Sequence, residues 1–200
     1  MADISTGEPR SHQVLTSLAH RWPTLAGLVA MALSVLDMTR ETAMNTAVDD
    51  GRSQGLVVFL AALIYLATAV VGRPGVVWPL FGVSVVAVTL LRLFDVQPWT
   101  ALVGGAVSIA VVGLAGGLLR APRLSAAQVP AMLVFGAAAL VALSLDPALG
   151  SYLVAAALIG HAVLDVIVWR AKEVVTRSLA EFCAVLDLTL GVAIVVLQLV

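Results

Sequence analysis

From residue 22 onward the chain alternates between long apolar runs and brief polar or Gly/Pro-rich breaks. Seven runs are legible: Trp22 to Met44, Leu56 to Val71, Val76 to Phe94, Trp99 to Leu119, Val129 to Leu145, Pro147 to Trp169 and Ser178 to Leu199. A membrane-crossing helix needs about 17–25 predominantly apolar residues. A barrel strand would alternate over about ten residues, whereas these runs are continuously apolar. Hydrocarbon offers backbone N–H and C=O groups no partner, so each run must satisfy its own as a helix. The pattern predicts an all-α, polytopic transmembrane helical bundle of about seven spans with short loops.

The breaks carry their own signals. Gly72-Arg73-Pro74-Gly75 is a tight turn, and Asp146-Pro147 supplies an N-cap and an N1 proline to span 6. Ser125 can cap span 5, and Ser178-Leu179-Ala180-Glu181 matches a capping box at the start of span 7. Asp49-Asp50-Gly51-Arg52-Ser53 is an exit to water. Span 1 is the least regular, because Asp37, Arg40, Glu41 and Asn45 make its far half polar.

Composition narrows the class. Hydrophobic residues make up 61% of 200 and charged ones 12%, with a mean hydropathy of +1.06. A soluble domain carries roughly a quarter charged residues. Residues 1–21 read as a cytoplasmic segment and 22–200 as a single transmembrane domain in the cell membrane. Span 1 reads as retained, because Asp37, Arg40 and Glu41 follow its apolar part where a signal peptide would show small residues. Any site must then be built from the spans and their short loops. The basic residues form no clustered stripe for nucleic acid. Cys183 is the sole cysteine, which excludes intrachain disulfides and thiolate clusters.

Span 4 holds Gly104, Gly105, Gly113, Gly116 and Gly117. Gly113-x-x-x-Gly117 has the small-residue spacing that lets helices approach closely in lipid. Span 4 is therefore expected to be central and tightly packed, or to mediate oligomerisation; glycine enrichment as mere membrane composition is the bland alternative. With the N-terminus cytoplasmic, Arg10, Arg21, Arg73, Arg120, Arg123, Arg170, Lys172 and Arg177 fall inside, against Arg40, Arg52 and Arg92 outside. That follows the positive-inside rule. Trp22, Trp78, Trp99 and Trp169 fall at span ends, where amphipathic rings meet headgroups.

Ionisable groups inside a membrane are costly and raise a functional hypothesis. His161, Asp165 and Trp169 recur every four residues and share one face of span 6; Cys183, Asp187 and Gly191 do the same on span 7. Counted from the short connection between these antiparallel spans, His161 and Asp187 stand at nearly one level, with Asp165 nearer the surface. Such a set can relay protons, act as acid and base, or bind a cation; it can also simply join two helices. Asp37, Arg40 and Glu41 form a second cluster that reads either as an outer vestibule or as a wet loop. Glu181 is explained by capping, Cys183 by packing, and Arg170 to Arg177 as an interfacial anchor that can also meet acidic headgroups.

Retinal needs a Schiff-base lysine inside a late helix, and Lys172 lies in a loop. Haem held by two histidines finds only His161 within the spans. A zinc ion on His161, Asp165 and Asp187 is geometrically conceivable, but no resident metal or cofactor is expected. No phosphate-binding glycine loop occurs. The leading functional expectation is a small transporter or ion- or proton-coupled permease, with His161, Asp165 and Asp187 as coupling residues. Asp37, Arg40 and Glu41 would stand near an outer mouth. The alternatives are a membrane-embedded enzyme acting on a lipid or isoprenoid, and an accessory subunit whose polar groups only hold helices together. The bilayer, and a small solute, proton or lipid, are the expected partners.

Overall fold

The computed structural model describes residues 21–43, 52–94 and 96–199. Seven principal helices run through them: α1 (Trp22–Ala43), α2 (Gly55–Val71), α3 (Val77–Leu93), α4 (Pro98–Ala115), α5 (Gln128–Ala142), α6 (Pro147–Ala171) and α7 (Arg177–Leu199). Single helical turns at Arg52–Gln54, Pro74–Val76, Leu118–Arg120 and Arg123–Ala126 lead in or out of them. Six helices are long and apolar enough to cross a membrane; α2, with 17 residues, is shorter. The expected helical membrane bundle with short loops is what forms.

The bundle is arranged for hydrocarbon. Leu33, Val83, Leu133 and Leu199 are 64–74% exposed. In water such a surface would be an association hazard; facing lipid tails it costs nothing. The interior instead collects His161, Asp165, Asp187, Thr68 and Ser151. α2 is the axis, with 13 of its 17 residues buried, packing against α3, α4, α5 and α6. A helix enclosed by others needs less length than one that meets lipid along its whole course.

α6 and α7 form the most intimate pair, and α1 lies along the far side of α7. Their contact depends on two glycines. A Cβ on Gly191 would stand 3.0 Å from the Ala155 carbonyl oxygen, and one on Gly27 would stand 2.8 Å from that of Phe182. The α6–α7 connection is tight: Lys172 closes α6 in the left-handed region at φ 58°, its N–H donating to Val168 O at 2.9 Å. Val174 is also left-handed at φ 67°, rare for a β-branched residue, and is held there with its side chain and that of Val175 buried. The Arg177 guanidinium lies 4.3 Å above the Trp169 ring and ties the two helix ends together.

Three local expectations are corrected. α4 is peripheral: only Leu102, Ala106 and Gly113 are buried, and nothing lies within 4 Å of a Cβ placed on Gly104 or Gly105. The helix stops at Ala115, and Gly117 at φ 84° is a turn residue, so Gly113 and Gly117 form no packing ridge. Ser125 caps nothing, since it sits inside the one-turn helix and α5 begins without a side-chain cap. The capping box at Ser178 does not form because α7 starts a residue earlier, with Thr176 O accepting from Ala180 N. Ser178 Oγ instead accepts from the Trp78 indole at 3.0 Å, and Glu181 accepts from Thr24 of α1. Asp146, by contrast, caps α6 as expected, accepting from Leu149 N at 3.1 Å.

Candidate functional site

The amphiphilic logic of α6 places His161 and Asp165 one turn apart on its buried face, and Gly191 lets α7 approach closely enough to bring Asp187 to them. His161 Nδ1 lies 2.9 Å from Asp187 Oδ2 and 3.4 Å from Asp165 Oδ2. A carboxylate only accepts, so with Asp187 ionised the proton sits on Nδ1. One N–H cannot serve two acceptors equally, and Asp165 Oδ2 is left outside hydrogen-bond geometry. The expectation that His161 and Asp187 share a level is met. Each lies ten residues from its helix end at the connection, about 15 Å at 1.5 Å per residue, near the middle of a hydrocarbon core about 30 Å thick.

A fourth residue completes the group. Tyr65 of α2 donates its hydroxyl to Asp165 Oδ1. Its ring packs edge-on against His161 at 5.2 Å between centroids, and Phe135 of α5 does the same at 5.0 Å. Tyr65, His161 and Asp165 are fully buried, and Asp187 is 1% exposed. Tyr65 is not among the candidates that the sequence pattern singles out. The available signal was its place in mid-run, away from either interface, where a phenol O–H needs a partner.

Polar groups elsewhere in the interior are satisfied locally. Thr68 donates to Ile64 O at 2.8 Å, Ser151 to Pro147 O at 2.9 Å and Gln128 to Leu124 O at 2.9 Å. Among the described residues, the buried side-chain atoms without a hydrogen bond are His161 Nε2, Asp165 Oδ2 and Asp187 Oδ1. All three belong to this one cluster. Placing an Asp at the centre of a membrane helix costs about 2.5–3.5 kcal/mol on an insertion scale, while an interhelical hydrogen bond in a membrane returns about 0.6 kcal/mol on average. Helix joining alone does not balance two such residues.

The second predicted cluster lies apart from the first. α1 continues as a helix through Ala43, so Asp37 and Arg40 stand on it and not in a loop. Both line an open cavity of about 600 Å³ between α1, α2 and α3, together with Arg92. The Glu41 side chain, Asn45, the loop at 49–51 and nearly all of the segment 1–21 lie outside the described residues. The cavity lining includes Leu60, and Tyr65 is five residues further along α2, about 7.5 Å along the helix axis. A second cavity, about 480 Å³, lies between α2 and α4 around Val70, Gly113 and Arg120.

Comparison of the chain with protein-family models, with curated proteins and with solved structures finds no match.

Proposed function

We propose that this membrane protein is a small proton- or ion-coupled transporter whose coupling centre is His161, Asp165 and Asp187, positioned by Tyr65. The observation that carries this reading is the concentration of every described unsatisfied buried side-chain atom at one mid-bundle cluster. An acid pair around an imidazole can take up and release protons or exchange them for a cation, which a purely apolar core cannot do. The open cavity holding Asp37, Arg40 and Arg92 is the vestibule on one side. Tyr65 is fully buried and does not line that cavity, so this conformation is closed at the coupling centre. Loading requires α6 to shift against α2, which touches it through the Tyr65–Asp165 hydrogen bond.

The test is flux across a sealed bilayer. The full chain is reconstituted in liposomes containing trapped pyranine, and an inside-negative potential is imposed with potassium and valinomycin. Wild-type vesicles are expected to acidify faster than protein-free ones, alone or on adding solutes from a panel of small anions, cations and zwitterions. Asp187→Asn, checked for wild-type helicity and a monodisperse elution profile, is expected to remove that difference. Equal acidification in wild-type, Asp187→Asn and empty vesicles under every solute would discard the transport reading.

A further inference from the structure

With both carboxylates ionised, the coupling cluster would carry an imbalance of charge that a proton on the histidine does not cure. Asp165 and Asp187 would then bring two negative charges, and protonated His161 would cancel one. Among the described residues, no arginine or lysine pairs with either aspartate. We propose that His161, Asp165 and Asp187 form a binding site for one divalent first-row transition-metal ion. This deepens the transport reading, since it rests on the same coupling centre and names the cation exchanged there for protons.

The geometry supports it at three points. One ligand atom from each residue lies within 4.8 Å of the others. Metal–ligand bonds of about 2.0–2.2 Å set neighbouring ligand atoms about 3.0–3.5 Å apart, and the separations from His161 Nδ1 are 2.9 Å to Asp187 and 3.4 Å to Asp165. A modest swing of the two carboxylates closes the set. Second, Asp165 Oδ2 is fully buried, within reach of that shared point, and has no hydrogen bond. Third, Tyr65 donates to the other oxygen of the same carboxylate, the outer hydrogen bond that fixes a ligating carboxylate in position.

The donor set also selects among metals. Calcium takes six to eight oxygen ligands and magnesium keeps several waters, and a site this buried, packed against Tyr65 and Phe135, offers room for neither. One imidazole and two carboxylates suit Mn²⁺, Fe²⁺, Co²⁺ or Zn²⁺. A dication on neutral His161 and two carboxylates leaves no net charge in the hydrocarbon.

The experiment uses the full chain in detergent micelles, stripped with EDTA, equilibrated with Co²⁺ or Zn²⁺ and passed through a desalting column. The wild type is expected to retain about one ion per chain, to shift the Co²⁺ absorption spectrum from that of the hydrated ion, and to keep the ion against tenfold Mg²⁺ or Ca²⁺. Asp165→Asn and Asp187→Asn, in fractions of wild-type helicity, are expected to lose it, while Cys183→Ala keeps it. Where neither aspartate variant folds, His161→Gln serves in their place, and the wild-type Co²⁺ spectrum stands by itself. Folded wild type that retains no ion would overturn the proposal. So would retention unchanged in the folded variants, or displacement by Mg²⁺. Retention without flux in the liposome assay supports the metal site and removes the transport reading. Proton flux without retention does the opposite.

Discussion

Tyr65 holds Asp165 through a single hydroxyl, and the value of that contact can be measured. Tyr65→Phe keeps the ring against His161 and deletes the donor, leaving a second Asp165 oxygen buried and unpartnered. An orphaned buried acceptor costs about 1–3 kcal/mol, while measured interhelical hydrogen bonds in a membrane protein reach about 1.7 kcal/mol. A carboxylate acceptor places the expected loss near the top of the membrane range, about 1.5–2 kcal/mol, read by unfolding in mixed micelles. Unchanged stability would mean that Asp165 finds another donor. The acids and the imidazole at this site were readable in the chain because i, i+4 spacing places them on one face of each helix. Tyr65 was not, because it lies a hundred positions from Asp165, and only the packing of α2 at the axis brings them together. Local periodicity assigns a residue to a face and leaves open which helix will cover it.

Glycines decide how closely the helices approach, but only where a neighbour is present. Gly191→Ala sets a methyl 2.9 Å from Ile159 Cγ1 and 3.0 Å from the Ala155 carbonyl oxygen. The backbone oxygen cannot rotate away, so α6 and α7 must separate. Overpacking of this kind costs about 1–3 kcal/mol, and the same separation lengthens the His161–Asp187 contact. Gly191→Ala is therefore expected to lower both the unfolding midpoint and the flux. Gly104→Ala meets nothing within 4 Å and is expected to leave both unchanged. Flux lost equally in the two variants would show that the α6–α7 approach is not what sets the site. This contrast also explains why span 4 misled. Its glycine content marks where close packing is permitted, and composition holds no information on which helix arrives. The apolar runs themselves were fully legible, with helix ends displaced from the expected span ends by a few residues where Gly117 turns the chain and where Arg177, not Ser178, begins α7.

At the scale of the whole molecule, the two ends of the bundle differ in chemistry. Trp22 and Trp78 pack in a tilted contact at 5.1 Å between centroids, Trp78 reaches Ser178, and Trp169 carries Arg177, so one end gathers aromatic and basic groups. The opposite end holds Asp37, Arg40 and Arg92 around the vestibule. The charge bias in the chain, eight basic residues against Arg40, Arg52 and Arg92, predicts that the tryptophan-rich end faces the cytoplasm. On that bias the vestibule is expected to open outward and the α6–α7 connection to face the cell interior. Two exposed loop positions separate the alternatives. Val96 follows α3 at the vestibule end and is 48% exposed; Lys172 is exposed in the α6–α7 connection. In a Cys183→Ala background, which removes the native buried thiol, Val96→Cys is expected to react with a membrane-impermeant maleimide in intact cells. Lys172→Cys is expected to react only after permeabilisation. The reversed pattern would place the vestibule inside and make the coupling centre load from the cytoplasm. Labelling of both from outside would contradict the proposed crossings, because three helices, α4, α5 and α6, lie between Val96 and Lys172 and an odd number of crossings leaves the two positions on opposite sides of the bilayer.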